Sequence, residues 1–346
     1  MKRFHTVIVG AGPAGLACAT LLARHGKEVL VLERNSQLGK KVCAGGIPSA
    51  TLALGVPADL MERSFTSQRI RSNWQRIRIS DQAPMVCTVN RQRLGKWMAE
   101  KAQQAGVELR TGTPVLALAE KKVCTRAGEF GYDFLVGADG SGSLVRRWLG
   151  IPTRRCGIGI HFQMPGEFAE MEWHLDATLF GEGYGWIFPH QGSASIGAYA
   201  GLAGRRPHQL LAGLRQWASR LAIPLPEQPR AALVNHDYRG HRFKNRFLVG
   251  DAAGLASGLT GEGIYSALLS GEEAALAILD ENHDGAALKE LIRKQHRHGR
   301  ILDLAGGFRI GGKLITEFLL TALRAGLLSY HELEMGLHPP QTRSAP

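Results

Sequence analysis

Short apolar runs and helix-spaced stretches alternate along this chain. Residues 6–10 are an apolar run of strand length. Residues 13–25 place apolar side chains at helical spacing with a proline in the first turn, and 28–32 are a second apolar strand that ends at Glu33. Residues 69–80 alternate as a strand does, 85–89 form another, and 91–105 return to helical spacing. Strands joined by tight turns are predicted over 107–126, a buried strand over 134–137, and a run of alternating stretches over 157–200 that fits an antiparallel sheet. A helix is expected at 207–221, a short buried strand at 246–250, a helix at 261–279 and helices from there to 337. The order predicts an α/β chain in which one domain is interrupted by an antiparallel sheet domain and followed by a helical C-terminal region. The interrupted domain takes residues 1–68, 91–150 and 241–285, and the sheet domain takes 69–90 and 151–240. Helices fill 286–338, and 339–346 is a frayed tail.

Gly10-Ala11-Gly12-Pro13-Ala14-Gly15 stands between the first strand and the first helix, and Glu33 follows Gly15 by 18 positions. In that setting each part has a task. Gly10 makes the tight turn, Gly12 lets backbone approach a pyrophosphate, and Gly15 lets helix and strand pack closely. The helix start at Pro13 and Ala14 offers the unpaired N–H groups of its first turn, from Ala14 onward, to phosphate. Glu33 accepts hydrogen bonds from ribose hydroxyls. Arg34 either stacks on an adenine or is solvated. The interrupted domain is thus read as a Rossmann-like dinucleotide-binding domain.

Composition sharpens this reading. There are 43 glycines in 346 residues, against roughly 7% in an average protein, as expected where backbone wraps a large cofactor. Lys and Arg number 42 and Asp and Glu 30, a net charge of +12. The excess suits an acidic partner (nucleic acid, anionic lipid, a phosphorylated substrate or an acidic redox protein) or solubility alone. The basic residues are dispersed and no nucleic-acid-binding module is present, so nucleic acid is the weakest of these. Five cysteines without a CxxC disfavour a disulfide framework or zinc site, and no metal is expected. A reducing cytoplasm is the expected location. No run of 18 apolar residues predicts a membrane span. Residues 314–328 are apolar and follow a basic run, which fits a packed amphipathic helix or one that touches a membrane surface.

Three further segments resemble FAD-dependent oxidoreductases of the p-hydroxybenzoate hydroxylase type. In Leu248-Val249-Gly250-Asp251-Ala252-Ala253 a buried strand delivers an aspartate to a turn, and Gly261-Glu262-Gly263-Ile264 opens the next helix. The resemblance implies that Asp251 holds the ribityl chain of FAD and that the helix start at Gly261, Gly263 and Ile264 faces the pyrimidine edge of the flavin, where reduced flavin carries negative charge. Gly137-Ala138-Asp139-Gly140, with Ser143 and Arg146, matches the family's internal DG motif, and Asp139 supports the cofactor there. Arg91 matches an arginine near the FAD phosphates.

Two more segments resemble the geranylgeranyl reductase family in particular. Tyr184-Gly185-Trp186-Ile187-Phe188-Pro189 matches its YxWxFP pattern, and Cys43-Ala44-Gly45-Gly46 resembles its CGGG loop by the flavin, with Ala44 in place of glycine. On a strand Tyr184, Trp186 and Phe188 share one face. With Gly46 and Pro189 they are the expected substrate pocket, while Cys43, Ala44 and Gly45 are expected at the flavin. The implied reaction is reduction of an isoprenoid C=C bond, a hydride from reduced FAD going to one carbon and a proton to the other. Cys43, Tyr184 and Trp186 are the candidate catalytic side chains, with Tyr184, Cys43 or a held water as proton donor. No second dinucleotide fold is evident, so electrons come from NAD(P)H docking transiently or from another carrier, such as an acidic electron-transfer protein. An aromatic monooxygenase or a flavin halogenase uses the same scaffold, and a prenyl-binding chaperone is the non-enzymatic rival.

Overall fold

The computed structural model describes residues 1–39, 41, 43–306 and 311–337. Lys40, Val42 and the tail at 339–346 lie outside the described residues. The strand Lys2–Val9 runs into the glycine turn, the helix Pro13–Arg24 follows with proline in its first turn, and the chain returns through Val29–Leu32, all four of whose residues are buried. The two strands are parallel, Thr6 opposite Val29 and Val9 opposite Leu32. Gly128–Gly137 pairs in parallel with the other edge of the first strand, Lys2 opposite Phe130 and Val9 opposite Gly137. Arg246–Leu248 extends the sheet beyond it and Glu108–Arg110 extends it beyond the second strand, both parallel. The parallel part of an eight-stranded sheet is thus assembled from three separated stretches of chain, with Val115–Ala119, Lys122–Thr125 and Arg242–Phe243 adding antiparallel strands. The helix Ile264–Leu279 packs on Pro13–Arg24 so closely that a Cβ on Gly271 would lie 2.2 Å from the Ala14 carbonyl oxygen.

A second sheet has seven strands in the spatial order Arg230–Asn235, Cys156–Pro165, Ser193–Gly201, Tyr184–His190, Glu172–Leu175, Ser67–Ser72 and Arg76–Ser80. All its pairs are antiparallel except the one joining Glu172–Leu175 to Ser67–Ser72. Residues 69–80, which alternate as a single strand, are two: Ser72 Oγ accepts the N–H groups of Trp74 and Gln75 and folds the chain back. The edge strand Arg230–Asn235 is mostly exposed, so it carries little hydrophobic signal in sequence. The helix Pro207–Arg220 covers one face of this sheet with Leu210, Leu214 and Trp217. A small sheet of Gly46–Pro48, Val86–Val89 and Met61–Phe65 joins the two halves.

The helices Ala286–Gly306, Gly311–Arg324 and Tyr330–Leu333 complete the fold. Leu320 is buried against Ile70 and Ile77, which fixes Gly311–Arg324 on the edge of the second sheet. No helix among the described residues is long and apolar enough to cross a membrane.

Candidate functional site

The glycine turn has the shape predicted for it. Gly10 has φ +103°, and a Cβ on Gly15 would lie 2.1 Å from the Gly10 carbonyl oxygen, so neither position tolerates a side chain. At Gly12 the nearest neighbour of an added Cβ is 4.0 Å away, and that side of the turn is open. No side chain caps the helix that starts there. Glu33 Oε2 accepts the Ala11 N–H at 2.9 Å, and Oε1 accepts the Asn35 N–H at 2.8 Å, which ties the end of the second strand to the turn. Arg34 is exposed.

Asn90 caps the helix Arg91–Gln104 by accepting from Gln92 and Arg93. Arg91 projects from its first turn onto the wall of a cavity, where its buried Nη1 has no partner among the described residues. Asp139 Oδ2 accepts the N–H groups of Leu144 and Val145, while its Oδ1 is buried without a described partner. Burial pushes the Asp139 carboxyl up from the usual range. Arg146, 1% exposed, donates to the carbonyls of Pro152, Asp237 and Ala252 and so braces the chain around Asp251.

Asp251 lies on the same cavity wall, accepting from Ser141 Oγ at 2.8 Å and facing Lys41 Nζ at 2.5 Å. The turn at Gly261 and Gly263 and the helix start at Ile264 adjoin it, again without a side-chain cap. Gly250 is packed between Ala14 and Ala267 and donates its N–H to Ser270 Oγ at 2.9 Å. Two uncapped helix starts, an orphaned arginine nitrogen on the wall and an open backbone position at Gly12 fit a phosphate-bearing dinucleotide cofactor such as FAD. Pro13, Cys43, Ala44 and Ile264 line the cavity and would be among the residues that hold the flavin ring.

The cavity, about 310 Å³, continues from there into an apolar end. Trp173, Tyr184, Trp186 and Phe188 line it, with ring centroids 4.8 to 6.0 Å apart. Leu320 and Leu323 of Gly311–Arg324 close the opposite side. The Tyr184 hydroxyl donates to the Thr260 carbonyl, and burial pushes its acidity far out of reach at neutral pH. Trp186 Nε1 donates to Ser195 Oγ at 3.1 Å, and Ser195 in turn meets His161 Nδ1 at 2.7 Å. Burial and Arg230 lower the His161 pKa to about 4, so this imidazole is neutral at pH 7.

Cys43, Ala44 and Gly46 also lie on the wall, with Cys43 Sγ accepting the Gly45 N–H at 3.3 Å. His190 sits between the Ala44 carbonyl at 2.9 Å and the Glu62 carboxylate at 2.5 Å, and a Cβ on Gly45 would strike its ring at 2.4 Å. Pro189 is not on the wall. It follows the strand's alternation away from Phe188, and its carbonyl accepts the Thr88 hydroxyl at 2.9 Å. Trp173, Glu334 and the Gly311–Arg324 leucines line the cavity without any motif to announce them, and Glu262 does so from within the Gly261–Gly263 motif, which assigns it no role. Only the 3.6-residue spacing of those leucines hints at a buried face.

Residues 3–166 match the family model of an FAD binding domain. A geranylgeranyl diphosphate reductase of Rhodobacter capsulatus is 29% identical over 80% of this chain and 76% of its own. A digeranylgeranylglycerophospholipid reductase of Methanosphaera stadtmanae is 29% identical over 84% of this chain and 83% of its own. Among solved structures, a geranylgeranyl bacteriochlorophyll reductase-like protein from Thermoplasma acidophilum superposes with a TM-score of 0.73 at 20% identity, covering 86% of this chain and 83% of that one.

Proposed function

For a chain that belongs with the FAD-dependent oxidoreductases of the geranylgeranyl reductase family, we propose that it reduces C=C bonds of an isoprenoid chain. The observation that carries the reading is one continuous cavity, with Arg91, Asp251 and two helix starts at one end and an aromatic and leucine wall at the other. FAD, when bound and reduced, supplies the hydride.

The chain's own residues do the rest. Arg91 and the Gly12 turn hold the phosphates, Glu33 a ribose, Asp251 the linking chain, and Asp139 braces the segment beside them. Tyr184, Trp186 and Phe188 with Leu320 and Leu323 bury the prenyl chain and exclude water, each apolar side chain gaining roughly 25 cal/mol per Å² covered. Gly46 leaves room there, since a Cβ would come 2.8 Å from Phe188. Cys43 lines the same cavity.

An isoprenoid substrate also needs a route in. Leu314 and Phe318 are 54% and 72% exposed on the helix whose Leu319, Leu320 and Leu323 line the cavity, and Leu304 and Leu327 are exposed on either side. Exposed arginines 293, 297 and 300 precede them. This combination fits peripheral contact with an anionic lipid surface that carries the substrate. Electrons come from NAD(P)H or from an acidic carrier protein drawn by the +12 charge.

The test is product mass. The FAD-loaded protein, kept reduced by dithionite, is incubated with geranylgeranyl diphosphate, a geranylgeranylated glycerophospholipid and a polyprenyl alcohol. A gain of two hydrogens per bond supports the reading. An unchanged prenyl panel, together with an oxygenated aromatic product in air, supports a monooxygenase instead.

A further inference from the structure

Reduction of an alkene consumes one proton for each hydride, and the apolar end of the cavity must receive that proton from solvent. The aromatic hydroxyls on the wall are poor sources. Tyr184 is tied to the Thr260 carbonyl, and burial raises both Tyr184 and Tyr330 far above neutral pH. Four carboxyl groups share the wall, Glu182, Asp251, Glu262 and Glu334, and Glu262 and Glu334 are the two beside these tyrosines.

These carboxyls are connected to the outside. A surface groove is lined by Arg76, Arg78, Asp81, Arg324 and His331, and Leu323 and Tyr330 stand between it and the cavity. In that partition Asp81 Oδ2 lies 3.0 Å from His331 Nε2, and His331 Nδ1 lies 2.6 Å from Glu334 Oε1. Exposure falls along the row, from 33% at the Asp81 side chain to 18% at His331 and 2% at Glu334. Glu262 Oε2 accepts the N–H of Met335, the residue after Glu334, at 3.0 Å, and its buried Oε1 has no partner among the described residues.

We propose that Asp81, His331 and Glu334 form a proton path from the groove to the cavity, and that Glu262, at its inner end, is the acid that protonates the substrate alkene. The inference rests on the reductase reading above. Charges around the path support it. Burial, then the neighbouring Glu334, pushes the Glu262 carboxyl up to about 8, so it holds its proton at neutral pH. Hydrogen bonds to Glu334 and Asp81, against the opposing effect of burial, raise the His331 imidazole above its ordinary value and so favour its charged form. Lys294, the cation facing both glutamates, is held by the carbonyls of His331, Glu334 and Gly336 and does not neutralise the pair outright. The remaining titratable groups near Glu262 are Tyr184, Tyr265 and Tyr330, all neutral.

The balance is simple. The Glu262 O–H breaks as a C–H bond forms on one alkene carbon, while the other carbon takes the hydride that reduced FAD supplies. The carboxylate left behind takes the proton that His331 passes through Glu334, and the groove restores His331. Glu262 is the catalytic residue in this scheme, and Asp81 and His331 act through it.

The test uses the full chain loaded with FAD. Infrared hydrogen–deuterium difference spectra at pH 7, without substrate, show a protonated-carboxyl component that Glu262→Gln removes. In anaerobic mixing of the reduced protein with geranylgeranyl diphosphate, Glu262→Gln slows flavin reoxidation by roughly a hundredfold. Asp81→Asn and His331→Ala slow it less, increasingly so as pH rises, and added imidazole restores His331→Ala, which a purely structural histidine would not show. The proposal is overturned by a carboxyl band unchanged in Glu262→Gln, or by wild-type rate and pH profile in Glu262→Gln. A wild type that shows the band but reduces no prenyl compound overturns the reductase reading and Glu262's part in it, since the band is read without turnover.

Discussion

Lys41 Nζ lies 2.5 Å from Asp251 Oδ2, an ion pair between residues 210 positions apart that joins the loop after the second strand to the helical turn Gly250–Ala253 that follows the strand Arg246–Leu248. The Asp251 side chain is 10% exposed and that of Lys41 45%, so the lysine end is screened by water and adds little to folding stability. The pair matters for what it orients, namely a carboxylate on the cavity wall beside the helix start at Ile264. Asp251→Ala is expected to weaken flavin retention at least about tenfold, or ~1.4 kcal/mol. The flavin-to-protein absorbance ratio after gel filtration reads this directly. A variant that emerges with its full yellow complement contradicts the placement of the cofactor.

The glycine turn separates binding from folding. An Ala at Gly15 would push its Cβ to 2.1 Å from backbone, whereas at Gly12 it meets nothing closer than 4.0 Å. Gly15→Ala is therefore expected to lose both flavin and several degrees of Tm. Gly12→Ala keeps the Tm of the flavin-free protein and loses only flavin affinity. Calorimetry of the flavin-free forms distinguishes them, and equal destabilisation by both would contradict the account.

Tyr184 is more a wall than an acid. Its hydroxyl is committed to the Thr260 carbonyl, so Tyr184→Phe should cost about 1 kcal/mol of stability and leave the rate of prenyl reduction within a few-fold of wild type. A rate loss of roughly a hundredfold or more in Tyr184→Phe, with flavin content intact, would make the tyrosine the donor and displace Glu262.

Two buried histidines set the acid limit of stability. His161 and His298, 5% and 0% exposed, are each lowered to about 4, both chiefly by burial. A histidine with a depressed folded pKa is protonated more readily when unfolded. Each therefore favours the fold fully above about pH 6.5, and the contribution is lost as pH falls toward 4, at most about 3 kcal/mol apiece. His298 Nδ1 meets Ser257 Oγ, which accepts the N–H groups of Leu259 and Thr260, so acid loosens the turn that holds Tyr184. Denaturant midpoints between pH 4 and 7 should rise with pH, and His298→Asn should flatten part of that slope. A midpoint independent of pH across this range contradicts the neutral, buried assignment.

The parts of the molecule written as local pattern were legible in the sequence. Strand, glycine turn and helix at residues 2–24 declare themselves because the residues that make the turn are adjacent, and Tyr184, Trp186 and Phe188 share a face because a strand alternates. What stayed hidden was assembled over distance. Trp173 joins the aromatic wall through a parallel pairing with a strand a hundred residues earlier. Glu262 looks like the polar filler of a glycine motif until the C-terminal turn brings Glu334 and Met335 against it. Arg34 and Pro189 sit beside functional residues in sequence, yet Arg34 is exposed in the bend after the second strand, and Pro189 faces away from the cavity because adjacency along a strand puts neighbours on opposite sides.

The most direct measurement of the central claim is a single turnover without oxygen. The bound flavin is reduced, excess reductant is removed, and geranylgeranyl diphosphate or a geranylgeranylated lipid is mixed in while absorbance near the oxidised flavin band is followed. Return of the oxidised spectrum, with one equivalent of C=C lost per flavin, is the predicted result. A spectrum that stays reduced with every prenyl compound and recovers only when air enters would contradict it.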